Sequence, residues 1–317
     1  MNLHDNIKNA HQRISGKVLK TPLFYSTYLS ALNSGEVYLK LESEQYTGSF
    51  KARGALNKIL SLSEIERNKG LVTASTGNHA QGFARALTIA KAKGTVYLPK
   101  NAEPSKVEAL KYYDAQLEFF GDDPLATELH ANEVAQSTGQ IYVSPYNDVD
   151  VIAGQGTIGV EITENLPEID AIFGCIGGGG MMSGVGAWIK SVSPQTEVIG
   201  CLPENSPEMY LSVKEDRVVT LDEYVPTLSD GSAGGLEEGS ITFELCKEFM
   251  DQYILVPEDE IAAKIKYMVD KHHKIIEGAA AVALAAFMNN AENYNGQRVV
   301  IIICGANITT SKLNSIL

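Results

Sequence analysis

The strongest constraint on the fold is an alternation. Between residues 71 and 143, short apolar runs at 71–74, 94–98, 116–120 and 141–143 are separated by segments of helical spacing. The first of these segments carries Ala80, Phe83, Ala84, Leu87 and Ala90 on one face, and the others cover about 104–113 and 123–138. Units of this kind build a parallel sheet flanked by helices. The pattern recurs outside this region. Residues 36–41 alternate as a strand, 171–176, 197–202 and 298–303 are apolar strands, and helices are expected over about 1–20, 150–165, 181–189, 240–251, 258–271 and from Glu277 through 287. Residues 204–239, rich in Pro, Gly, Ser and acids, read mostly as loop. The fold class is therefore α/β, with two open, mainly parallel, helix-flanked sheets, the smaller spanning 67–147.

A chain of 317 residues has room for two domains. Its net charge of −13, with no basic run to offset it, excludes nucleic acid and anionic membranes as expected partners. Residues 1–5 carry no signal-peptide pattern and no 18-residue apolar segment exists, so cytoplasmic residence is expected. Cys175, Cys201, Cys246 and Cys304 are widely spaced, which suggests neither a zinc site nor a disulfide framework, and no metal is expected.

In parallel sheets, ligands bind beyond the carboxyl ends of the strands, where four loops stand out. The first holds Thr47, Gly48 and Ser49, read as loop and N-cap, with Lys51 in the first turn of the helix that follows. Unpaired N–H groups and the helix dipole there favour a neutral amine, the nucleophilic form. On position alone a solvated surface lysine is the simpler reading. The second loop, Gly177-Gly178-Gly179-Gly180, precedes a helix and suits a phosphate, since four glycines exceed what packing of the turn needs. The third, Ser75-Thr76-Gly77-Asn78-His79, offers donors for a carboxylate, although an ordinary N-cap accounts for Ser75 or Asn78 equally well. The fourth is Cys304-Gly305-Ala306-Asn307, where a buried structural cysteine is the simpler reading until a ligand is found beside it. An amine, a phosphate cradle and a carboxylate site together match the needs of pyridoxal 5'-phosphate and an amino-acid substrate.

The motifs Leu39-Lys40-Leu41-Glu42, Thr47-Gly48-Ser49-Phe50-Lys51-Ala52-Arg53-Gly54-Ala55, Ala74-Ser75-Thr76-Gly77-Asn78-His79-Ala80-Gln81-Gly82, Val151-Ile152-Ala153-Gly154-Gln155-Gly156-Thr157 and Gly177–Gly180 occur in one order along the chain. In them the sequence closely resembles the threonine/serine dehydratase and serine racemase family of pyridoxal-phosphate enzymes, of fold type II. The resemblance implies a large cofactor-binding domain at 1–66 and 148–317, a small domain at 67–147, an active site between them and a homodimer. It implies that Lys51 binds the cofactor as a Schiff base with Phe50 against the ring. Gly177, Gly178, Gly179, Gly180 and Met181 would hold the phosphate, Asn78 the phenolic oxygen, and Cys304 would face the pyridine nitrogen. Ser75, Thr76, Gly77 and His79 would take the substrate carboxylate. The implied reaction is β-elimination from L-threonine or L-serine, with Lys51 removing the Cα proton, to give a 2-keto acid and ammonia.

Departures from the pattern shape the alternatives. Thr76 stands where racemases carry a reprotonating serine, which keeps serine racemisation open. Leu202 replaces a glutamate that in relatives binds a divalent cation, and Glu208 matches only the second carboxylate. Ser144 and Tyr146 replace the racemases' histidine and asparagine, and Glu277 aligns with a pocket acid. The loop at 230–235 borders the side-chain pocket. A dehydratase of 3-hydroxyaspartate would need a further cation, for which Arg53 and Arg85 are the arginines near the site loops. A non-catalytic amino-acid sensor is the rival from another class, and Lys51 argues against it. No regulatory domain is expected beyond Leu317, nor feedback inhibition through one.

Overall fold

The computed structural model describes residues 2–122, 124–221 and 223–317. Ten strands are present among them: β1 Leu23–Tyr25, β2 Glu36–Leu41, β3 Leu71–Ala74, β4 Gly94–Leu98, β5 Gln116–Phe119, β6 Ile141–Tyr142, β7 Ala171–Cys175, β8 Glu197–Pro203, β9 Gln252–Val256 and β10 Arg298–Ile303. One sheet has the order β1-β2-β10-β7-β8-β9, parallel except for β1, which runs antiparallel to β2. The other, β5-β4-β3-β6, is parallel throughout.

The eight strands expected from the sequence are all present, and β1 and β9 are additions. Both lie at sheet edges, where few residues are buried and alternation gives little signal. Helix 1–20 is shorter than expected and runs Leu3–Ile14, because Ser15 leaves the helical region and Gly16 takes φ +70°. The 204–239 stretch is not all loop, since Glu208–Glu215 is a helix whose buried positions include Glu208 and Ser212, polar residues that hide the pattern. Thr27–Asn33, Glu64–Asn68 and Thr310–Ile316 are too short for periodicity to reveal. The helix expected from 123 runs Pro124–Thr138, and residue 123 itself lies outside the described residues.

The main core lies on the six-stranded sheet. Helix Gly278–Asn289 is buried on all sides as far as Phe287, and its alanines let it lie close to β7 and β10. Helix Lys51–Ser61 is positioned differently, by charge and by close approach. Arg53, fully buried, donates to both Glu42 oxygens at 2.7 and 2.8 Å and to both Glu161 oxygens at 2.6 and 2.9 Å. Lys40 completes the cluster, donating to Glu161 at 2.6 Å and to the Thr21 carbonyl at 2.7 Å. Alongside, a Cβ at Gly154 would lie 2.6 Å from the Gly54 Cα, so only glycine lets helix Val149–Asn165 approach this closely.

Removing Arg53 strands Glu42 without a charged partner and leaves Glu161 with Lys40 alone. Arg53→Met is expected to lower the unfolding free energy by about 3–5 kcal/mol. Denaturant titration of the two proteins, followed by far-ultraviolet circular dichroism, measures the difference.

Candidate active site

All four loops follow the carboxyl ends of strands β2, β3, β7 and β10. Lys51 is the first residue of its helix, and the expected capping by Ser49 is absent. Ser49 instead pairs through its backbone with Gly305, and its buried hydroxyl has no partner among the described residues. The Phe50 N–H donates to the Cys304 carbonyl at 3.1 Å, and the Ala306 N–H donates to the Gly48 carbonyl at 2.9 Å. The loop before Lys51 is thus tied to the loop after the last strand.

Lys51 Nζ donates to the Pro145 carbonyl at 2.8 Å and lies 5.2 Å from the centroid of the Phe50 ring. Burial pushes its pKa down to about 8, against the opposing fields of Cys304 and Glu277. The helix end was the cause read from the sequence. Burial is the larger one in the folded chain, and both favour the neutral amine.

The other ionisable groups here respond to burial in the same way. The Cys304 thiol is pushed well above its usual value. Burial and the nearby Lys51 hold His79 down to about 3, while its Nε2 bonds the Val143 carbonyl at 3.1 Å. His79 therefore contributes a buried neutral ring rather than a charge. Glu277 is buried and raised to about 7, mainly by desolvation. Its carboxylate accepts from Asn78 Nδ2 at 2.8 and 3.1 Å and from the Asn307 N–H at 3.0 Å. Asn307 Nδ2 in turn donates to Asn78 Oδ1 at 2.6 Å and to the Thr47 carbonyl at 2.8 Å. These contacts bring Asn78, Glu277, Asn307 and the Lys51 loop into one cluster.

The glycine turn corrects one step of the sequence argument. A Cβ at Gly177 would lie 2.6 Å from the Ser232 carbonyl oxygen, and one at Gly178 would lie 2.4 Å from Tyr146 Cγ. Gly179 has φ +83°, and a Cβ at Gly180 would lie 3.0 Å from the Tyr146 backbone. Packing alone therefore accounts for the glycines. The anion signal comes from the backbone donors, because N–H groups 177–182 reach no acceptor among the described residues as helix Gly180–Val192 begins. Met181 is buried behind them. The 75–79 turn offers a second set. The Gly77 N–H donates to Ser75 Oγ at 3.2 Å, whereas the N–H groups of Thr76, Asn78, His79 and Ala80 and the Thr76 hydroxyl have no hydrogen-bond partner among the described residues. A Cβ at Gly77 would meet open space, so this turn faces an opening. Pro145 links the two sides: its carbonyl holds Lys51, and Tyr146 beside it packs on the glycine turn.

Sequence reasoning did not find the Pro145 carbonyl or the Asn307 side-chain bonds. A backbone acceptor leaves no trace in residue type, and Asn307 was visible only as part of the loop after β10.

The profile of the family described as "Pyridoxal-phosphate dependent enzyme" matches residues 14–305. The chain belongs to this family. It is 42% identical to an L-threonine ammonia-lyase of Thermotoga maritima over 99% of its own length and 77% of the relative's. It is 39% identical to the catabolic L-threonine dehydratase TdcB of Escherichia coli strain K12, covering 98% and 95%. Among solved structures, the processed form of threonine deaminase isoform 2 from Solanum lycopersicum is similar, with a TM-score of 0.93, 34% identity and coverage of 99% and 86%. Family membership makes pyridoxal 5'-phosphate the cofactor. The donor chemistry fits it: a partly buried amine near its neutral form, and a run of unpaired N–H groups at a helix start.

The raised pKa of Glu277 carries a linkage. The folded chain holds its proton more tightly than the unfolded chain does, so this group's stabilising contribution is complete below about pH 4.5 and is lost as the pH rises toward 7. Relative to Glu277→Gln, the parent protein is expected to lose on the order of 2 kcal/mol of unfolding free energy between pH 4.5 and 8. Denaturant midpoints of both proteins at the two pH values give this difference.

Proposed function

We propose that the chain dehydrates and deaminates L-threonine or L-serine to the corresponding 2-keto acid and ammonia. The observation that carries this reading is the partly buried Lys51 amine, held by the Pro145 carbonyl and with its pKa lowered to about 8, set among two turns rich in unpaired N–H groups. The names of the 42% and 39% identical relatives support the substrate choice.

When bound, pyridoxal 5'-phosphate supplies an electron sink that lowers the cost of removing a proton from the substrate Cα. The chain supplies the rest. Lys51 Nζ would be the point of attachment and, when free, the acceptor of the Cα proton, a task suited to an amine that is about half neutral near pH 8. N–H groups of the glycine turn and Met181 bind the phosphate, and those of the 75–79 turn bind the substrate carboxylate. Phe50 would pack on the cofactor ring. Asn78, oriented by Glu277 and Asn307, would serve the phenolic oxygen. Cys304 remains a thiol and places no charge at the end of β10. Loss of the β-hydroxyl drains electrons from Cα, so a weaker sink suffices for elimination.

The 3-hydroxyaspartate reading loses its cation. Arg53 is enclosed by Glu42 and Glu161, and Arg85 donates to the Lys17 carbonyl while its guanidinium lies 4.1 Å from the centroid of the Tyr46 ring. A second reading, serine racemisation, is favoured by the Thr76 hydroxyl, which has no hydrogen-bond partner among the described residues. The proposal also includes a large domain at 1–66 and 148–317, a small one at 67–147, a homodimer and a cytoplasmic location. Among the described residues, no helix is long and apolar enough to cross a membrane.

Keto-acid release from L-threonine, L-serine and 3-hydroxyaspartate tests the assignment. The first two are expected to react and the third not, and Lys51→Ala is expected to lose at least about a thousandfold in kcat together with the visible cofactor band. Full turnover by Lys51→Ala would overturn the assignment. D-serine measured in the same reactions reads racemisation, and Thr76→Ala is expected to abolish it while keto-acid formation continues.

A further inference from the structure

The segment 228–232 crosses between the glycine turn and the Glu277 cluster. A Cβ at Gly231 would lie 3.5 Å from Glu277 Oε1 and 4.0 Å from Asn78 Nδ2, and the Ser232 carbonyl oxygen lies against Gly177. Asp230, between these contacts, points its carboxylate elsewhere. Its Oδ2 accepts from Lys106 Nζ at 3.2 Å and from Lys312 Nζ at 3.0 Å. Lys106 sits on helix Pro104–Leu110, between β4 and β5 of the four-stranded sheet. Lys312 sits on helix Thr310–Ile316, after β10 of the six-stranded sheet. One carboxylate oxygen therefore joins both halves of the molecule to the segment that borders the site.

We propose that Asp230 is a positioning residue for the reaction assigned above: by holding Lys106 and Lys312 together it fastens segment 228–232 between the two halves and sets how tightly an amino-acid substrate is retained. The inference rests on that assignment for its kinetic test only. Asp230 touches neither the Lys51 amine nor the unpaired N–H groups, and its charge reaches the site through Glu277, where Lys106 opposes it, so its main effect falls on substrate binding. The three side chains are 39%, 25% and 39% exposed in the order Asp230, Lys106, Lys312, so the pairing is weakened by salt.

The test uses the holoenzyme and two readouts. In Asp230→Asn, KM for L-threonine is expected to rise about five- to tenfold with kcat within about twofold and the visible cofactor band unchanged. In a Lys106→Met/Lys312→Met background the same substitution is expected to add nothing, because its partners are gone. Independently of turnover, hydrogen exchange at the Ser232 and Ala233 amides, both bonded to the Ser229 carbonyl, is expected to quicken about fivefold in Asp230→Asn and in Lys106→Met. Unchanged KM and exchange in a folded, active Asp230→Asn protein would overturn the proposal, as would an effect that persists in full in the lysine-free background. If Asp230→Asn does not fold, Lys106→Met carries both readouts. A parent protein that turns over neither threonine nor serine defeats the assigned reaction instead, and the exchange experiment still decides whether the segment is fastened by Asp230.

Discussion

The placement of Lys51 depends on Arg53, two residues along the same helix. A guanidinium enclosed by two carboxylates, one of them shared with Lys40, is costly to desolvate and worth keeping only while every member stays paired. The cluster links β2, the Lys51–Ser61 helix and the Val149–Asn165 helix, so that helix cannot slide or turn without breaking it. Glycines at the helix contact leave no slack in the other direction. The amine at the end of the helix is held in place from behind, by groups that take no part in chemistry.

In front of that anchor the environment removes charge. Burial moves the amine, the thiol, the imidazole and the Glu277 carboxyl toward their neutral forms. The backbone supplies the compensating polarity as fixed N–H dipoles that cannot titrate. A dianionic phosphate and a carboxylate are the ligands such a site receives well, since it offers them donors without offering their competitors a counter-charge.

Much of this was legible in the sequence because the relevant signals are local. The strand–helix alternation gave both sheets, and the four loops announced themselves through glycines, hydroxyls and an amine at strand ends. The edge strands β1 and β9 were not legible, having too few buried residues to show a period. The role of the glycines at 177–180 was misjudged, since residue type cannot reveal that Tyr146 and Ser232 press on them. The cause of the Lys51 shift was also only partly readable. A helix end is written in the sequence, whereas burial is a property of everything packed around it.

The joining of Phe50 to Cys304 and of Gly48 to Ala306 has a consequence for how the protein is made. β10 lies between β2 and β7, so the strand that completes the centre of the six-stranded sheet is synthesised after both its neighbours. The lysine loop emerges from the ribosome early but has nothing to pair with until residues 304–306 follow. Contacts so distant in sequence form late. A chain synthesised only as far as β9 therefore has no assembled pocket in which to capture a reactive aldehyde.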